Sequence, residues 1–341
     1  MVSPHVYRFS LAYRPIFQVA CPVLCVVGIV TNCLNILILS TKGNKSPTNV
    51  LLQWLAAADG LTMLSVLIYN IQYNYLDEDY GGALSTIQTV IVCIIASVLF
   101  HSIAIWLAVA LAMFRSLIVT FPLHAGRLCT VSRVHLTVVI ISILMTAAAV
   151  PNMYMNTIQA HNFTATDNTT TTRHYIEFRS RSFYNFNTTL HSVACKLLPC
   201  LLLLVLNIVL IKGMRHAKRK HLELTSTSTI SRSCNTSQHN SRSTSSDGNS
   251  SSTGILVAVV TLSILTETPQ GVIMFWSRFD KDVQVTYTLL GDLLDTLTII
   301  NSGVNFLLYC TMSSKFRKTL IQMMRKAVTP RLWCTRKRNS R

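Results

Sequence analysis

The chain has 341 residues, of which half are apolar and 13% are charged. A soluble globular chain carries about 25% charged residues, and the mean hydropathy here is +0.42, so a soluble enzyme or scaffold is excluded. The net charge of +17 would suit nucleic acid, but its distribution along the chain speaks against such a partner.

Apolar runs fall at 17–40, 49–71, 86–119, 134–156, 190–213, 254–277 and 285–311. Each is about as long as a helix needs to cross a bilayer core. With no water there to satisfy amides, each run must be a helix. The expectation is an all-α membrane protein, a seven-transmembrane helix bundle. Seven crossings put the termini on opposite sides. With residues 1–16 placed outside, 22 of the 30 basic residues fall on the cytoplasmic side, among them Arg115, Arg127, Arg133, Arg215 and the tail. Eight fall outside: Arg8, Arg14, Arg173, Arg179, Arg181, Lys196, Arg278 and Lys281. The positive-inside rule therefore sets the N-terminus outside, and the excess charge faces anionic inner lipid and an intracellular partner.

Residues 157–189 read as an outer loop with sequons at Asn162, Asn168 and Asn187, candidate glycosylation sites. Residues 225–253 hold 18 Ser or Thr among 29. That composition predicts a disordered cytoplasmic loop, suited to phosphorylation. Beyond the last run, Ser313–Ala327 repeats Phe316, Leu320, Met323 and Met324 at helical spacing with Lys and Arg between. It predicts a short amphipathic eighth helix on the inner membrane surface, leading into a basic tail to 341. The ten cysteines show neither a CxxC pair nor a cluster inside the outer loop, so the sequence supports no disulfide framework and no zinc site.

Polar groups inside the runs are costly and mark function. Asp59, Asn32, Asn301, Ser302 and Asn305 read as a central cluster. It suits a monovalent cation or waters near Asp59, with a purely interhelical hydrogen-bond network as the alternative. No other cofactor is expected. Glu267 precedes Pro269, whose ring frees a carbonyl and marks a kink. Asp292 and Asp295 stand three residues apart on one helical face. With Glu267 they would suit a cationic ligand, and His101 and Gln270 would line the same pocket. Arg115 sits at the inner end of its run, where it would snorkel.

These residues resemble the rhodopsin-like G-protein-coupled receptors over all seven runs. Asn32, the stretch ending at Asp59, the segment Trp106–Leu123 with Arg115 as its arginine, Pro199, Pro269, Asn305 and Tyr309 match the family's motifs. TETPQG, LGDLLDTLTIINSGVNFLLYCTMSSKFRKT and VPNMY are more narrowly similar to invertebrate FMRFamide-type and myosuppressin-type peptide receptors and the related nematode Srw group. The resemblance implies a plasma-membrane receptor, not an enzyme, for a short amidated peptide carrying arginine. It implies coupling to a heterotrimeric G protein through Arg115, Pro269 and Tyr309, with arrestin and kinases acting at the Ser/Thr-rich loop. A chemosensory receptor for small molecules is the alternative, and a transporter or channel the more distant one. The chain departs from the pattern at Phe114-Arg115-Ser116, which lacks the flanking acid and tyrosine. It departs again at Phe306, where the span-seven proline is expected, and at Glu267, where the span-six tryptophan is expected. Val90 stands where the usual disulfide cysteine would be, so that bond is not expected.

Overall fold

A computed structural model describes residues 4–41, 46–73, 83–164, 170–232, 247–312 and 314–328. The helices are α1 (Pro4–Leu39), α2 (Pro47–Tyr73), α3 (Leu84–Thr120), α4 (Pro122–Leu128) and α5 (Val131–Met155). After a hairpin of β1 (Asn156–Thr164) and β2 (Thr170–Phe178) come α6 (Arg181–Leu190), a π turn (His191–Leu197) and α7 (Leu198–Arg232). The chain then forms α8 (Asp247–Trp276), α9 (Lys281–Leu289), α10 (Gly291–Met312) and α11 (Ser314–Val328).

The architecture is the seven-helix bundle that hydropathy predicts. Among the described residues, five helical stretches are long and apolar enough to cross a membrane: α1, α2, α3, α5 and the run from α6 into α7. The bundle is completed by α8 and by α9–α10. Helix α2 packs between α1 and α3, α1 closes against α10, and α8 fills the gap between α7 and α10. The polarity is inverted relative to a soluble protein. Val19, Val23, Ile143, Leu144, Leu201 and Val205 are exposed on the outside, while Asn32, Asp59, Glu267 and Gln270 are buried. That is the arrangement a hydrocarbon solvent selects.

Several boundaries differ from expectation. The N-terminal segment is not separate from the first span, because α1 already starts at Pro4. Proline is tolerated in a first helical turn, Phe9 stacks on Tyr13 at 5.6 Å, and the Tyr13 hydroxyl donates to Thr296 Oγ1 of α10 at 2.9 Å. The Ser/Thr-rich stretch expected to be disordered is helical where it is described: α7 runs to Arg232 and α8 begins at Asp247. Residues 233–246 lie outside the described residues, as do 329–341 of the tail.

The segment 157–189 is not an irregular loop. Its first part is an antiparallel ladder running from Asn156↔Phe178 to Thr164↔Thr170, and its end is α6, capped by Ser180, which accepts from Phe183 N–H. The ladder and the bonds of Arg179 hold it in place of a disulfide. The Arg179 backbone N–H donates to Met155 O at 3.0 Å and its Nε to Tyr154 O at 3.2 Å. The eight cysteines among the described residues are free.

The basic amphipathic helix after the bundle is α11. Phe306 faces Phe316 edge-on at 5.9 Å, so the residue found in place of the expected proline anchors α11 to α10.

Candidate functional site

Span five carries the irregularity that builds the site. In the π turn Leu198 N–H donates to Val193 O, five residues back. The next donor in that register would be Pro199, which has no N–H. The Ala194 carbonyl is thereby released, and Trp106 of α3 donates its indole N–H to it at 3.1 Å. An unwound turn that would cost a hydrogen bond instead ties α3 to span five. Such turns re-aim side chains at functional sites, and here the re-aimed side chain is Lys196.

Lys196 Nζ lies 2.7 Å from Glu267 Oε2 and also donates to Gln270 Oε1. Glu267 is fully buried. Its Oε1 is 3.1 Å from His101 Nε2, without the alignment of a hydrogen bond, and accepts from Asn301 Nδ2 at 3.4 Å. Asn301 Oδ1 accepts from Ser263 Oγ at 3.1 Å. Gln270 Nε2 donates to Leu294 O and to Thr298 Oγ1. One carboxylate thus joins α3, span five, α8 and α10, two residues before Pro269, which lies inside α8. Gly271 permits the close approach this needs: a Cβ there would fall 2.9 Å from Leu197 Cδ2 and 3.1 Å from Lys196 Cβ.

Toward the hairpin end lies a cavity of about 510 Å³, and Lys196, Gln270, His101 and Asp295 are among its lining residues. Its opposite wall is neutral and polar, formed by Asn152, Asn187 and His191. Asn187 Nδ2 donates to Asn152 Oδ1, and it also faces Met155 Sδ at 3.3 Å. The thioether only accepts, which fixes the orientation of that amide. Asn152 Nδ2 then donates to His191 Nε2 at 2.8 Å, so the imidazole carries its proton on Nδ1. The chain of bonds leaves Asn187 Oδ1 as an acceptor and His191 Nδ1–H as a donor, neither with a protein partner.

The expected ligand residues separate into three groups. His101, Gln270 and Asp295 line the cavity. Glu267 is not among the cavity-lining residues and is paired with Lys196, a basic residue that the sequence places on the outer side without showing the pair. Asp292 is not among the cavity-lining residues. Three residues along a helix still turn a side chain by about 60°.

The central cluster is also divided. Asn305 Nδ2 donates to Asp59 Oδ2 at 2.9 Å. Asn32 Nδ2 donates to Ser302 O at 3.2 Å and to Gly28 O at 3.0 Å. Asn301 belongs to the Glu267 layer, and a space of about 20 Å³ lined by Asp59, His101, Ser263, Asn301 and Asn305 joins the layers.

Arg115 is half-buried at the far end of α3 from the hairpin. Beside it, Ser116 Oγ bonds Ala112 O at 2.8 Å and reaches Leu206 O of α7 at 3.4 Å. The backbone of Tyr309 is helical within α10, and its side chain lies outside the described residues. Of the sequons, Asn162 is exposed on β1 and accepts from Thr172 Oγ1 at 2.8 Å. Asn168 lies outside the described residues. Asn187 is 2% exposed and bonded into the cavity wall.

A family model described as the serpentine type seven-transmembrane G-protein-coupled chemoreceptor Srw matches residues 18–327. The chain is 26% identical over 353 residues to the G-protein coupled receptor dmsr-1 of Caenorhabditis elegans, covering 92% of this chain and 68% of that one. It is 27% identical to sex peptide receptor-related protein 2 of the same organism, over 87% of this chain and 69% of that one. It is 25% identical to the sex peptide receptor of Drosophila melanogaster, over 89% and 71%. A match along nearly the whole chain, on a bundle of seven helices, means that this protein belongs to the Srw family of serpentine G-protein-coupled receptors.

Proposed function

We propose that the chain is a plasma-membrane receptor, amino end outside, which takes a short amidated peptide carrying arginine into the 510 Å³ cavity and signals through a heterotrimeric G protein. The observation that carries this reading is the cavity itself, with a carboxylate among its lining side chains. Asp295 offers a carboxylate to a guanidinium. The Asn152–Asn187–His191 wall adds neutral polar side chains to the same cavity. Relatives named as sex peptide receptors support a peptide ligand, and the basic bias of the other face supports the orientation.

The ligand shifts the receptor only by its differential affinity for two states. The Lys196–Glu267 hub is the element it would bias, since it lies between the cavity and the proline of α8. Movement of α8 would open a cleft beside Arg115 for the G protein, with Tyr309 on its rim. The Ser/Thr-rich segment would receive kinases and arrestin, and α11 would rest on inner-leaflet lipid. The small space beside Asp59 is of a size for one water or one monovalent cation.

The test is nucleotide exchange on added G protein in membranes bearing the chain, driven by a panel of arginine-containing amidated peptides. Exchange that Asp295→Asn weakens supports the reading. The family's description as chemoreceptors favours a second reading, a small-molecule ligand. Exchange driven by small molecules and by no peptide would select it.

A further inference from the structure

A second concavity lies on the flank of the bundle, where α8 meets the π turn. It encloses about 370 Å³ and is lined by Leu197, Val272, Phe275, Trp276 and Phe279. Trp276 and Phe279 are 59% and 68% exposed, and Val272 is 44% exposed. On a soluble protein such a patch would wait for a protein partner. On the flank of a membrane-spanning helix the solvent is lipid.

The rim of the groove carries a fixed positive charge. The Arg278 guanidinium sits 5.3 Å from the centroid of the Phe279 ring, and its Nη1 donates to Thr189 Oγ1 of α6 at 3.0 Å. A guanidinium has five donors, and Thr189 takes one. Phe275 and Phe279 meet edge-on at 5.5 Å and form one wall. Asp280, the next acid, is engaged in capping α9, where its Oδ1 accepts from Asp282 N–H at 2.8 Å. Tryptophan side chains concentrate at headgroup level, so Trp276 puts Arg278 level with lipid phosphates and the groove just below them.

We propose that this groove binds one phospholipid, with an acyl chain lying on Leu197, Val272, Phe275 and Trp276 and the phosphate held by Arg278. The occupant follows from the pairing of an apolar trough at hydrocarbon depth with a single immobilised guanidinium at its mouth. The site backs onto the ligand cavity. Leu197 forms part of the groove, Lys196 lines the cavity, and both press on Gly271. A chain seated against Leu197 therefore loads the joint that positions Lys196. This last consequence rests on the ligand reading of the cavity; lipid binding itself does not.

The full chain in detergent is titrated with phosphatidylcholine brominated on its acyl chains. The signal is the fluorescence quenching seen in the native chain and missing from Trp276→Phe. Saturable quenching is expected. Arg278→Gln raises the half-saturating lipid concentration about tenfold, Arg278→Lys restores most of it, and brominated diacylglycerol, which lacks the phosphate, binds about tenfold more weakly. Val272→Phe, a change on the lipid-facing side, removes the saturable component. Quenching that rises without saturation, as for ordinary surrounding lipid, overturns the proposal. So does equal binding of phosphatidylcholine and diacylglycerol, or an Arg278→Gln curve superimposed on the native one.

Discussion

Replacing Lys196 with methionine removes the cation and leaves the Glu267 carboxylate in place. Glu267 has a side-chain exposure of 1%, so the anion has no route to water. Truncating one partner of a buried pair costs about 3–5 kcal/mol, because the other charge is left uncompensated. Asn301 Nδ2 still donates to the carboxylate, which puts the expected cost near the lower end, about 3 kcal/mol. Glu267→Gln is milder: the Lys196 side chain is 16% exposed, keeps Gln270 and reaches the cavity, so about 1–2 kcal/mol is expected. The double substitution removes both charges and keeps the volume. It should recover most of the loss, since a buried pair is often no better than an apolar replacement. Thermal unfolding of the purified chain in detergent ranks the four proteins. Lys196→Met should unfold on the order of 5–10 °C below the native chain, Glu267→Gln between them, and the double substitution above Lys196→Met. A Lys196→Met protein as stable as the native chain, or a double substitution no better than the single one, refutes the hub.

Three further outcomes follow from the geometry. Asp295→Asn should weaken an arginine-bearing peptide by roughly 1.5–3 kcal/mol, a tenfold loss or more in a binding titration, while Asp292→Asn, outside the cavity, leaves it nearly unchanged. Gly271→Ala should destabilise by about 1–3 kcal/mol, because its Cβ meets Leu197 at 2.9 Å; an unfolding midpoint unaltered by the added methyl would mean that α8 and the π turn are not in close contact. Thr189→Val destroys the sequon at Asn187 and should leave the glycan count unchanged, whereas Asn162→Gln should lower it by one. Gel mobility before and after enzymatic deglycosylation separates these results.

Hydropathy alone located the bundle, the charged positions within it and the amphipathic α11. That information is local, because lipid penalises each unpaired amide and each charge wherever it occurs. So Asp59, Glu267 and the Pro269 kink stood out in the linear chain, and three of the expected ligand residues do line the cavity. Lys196 was visible as a lysine inside the apolar run 190–213 with Pro199 three residues on, but nothing local says which way a span faces. The π turn adds one residue to the helical register and so rotates what precedes it by roughly 100°. That rotation turns Lys196 to Glu267 and frees the Ala194 carbonyl for Trp106. The division between Asp292 and Asp295, the burial of Asn187 and the bonded chain from Asn187 through Asn152 to His191 are likewise properties of several helices at once. Sequence determines which segments enter the membrane; the relative rotation of those segments, fixed only when they pack, decides which polar groups meet.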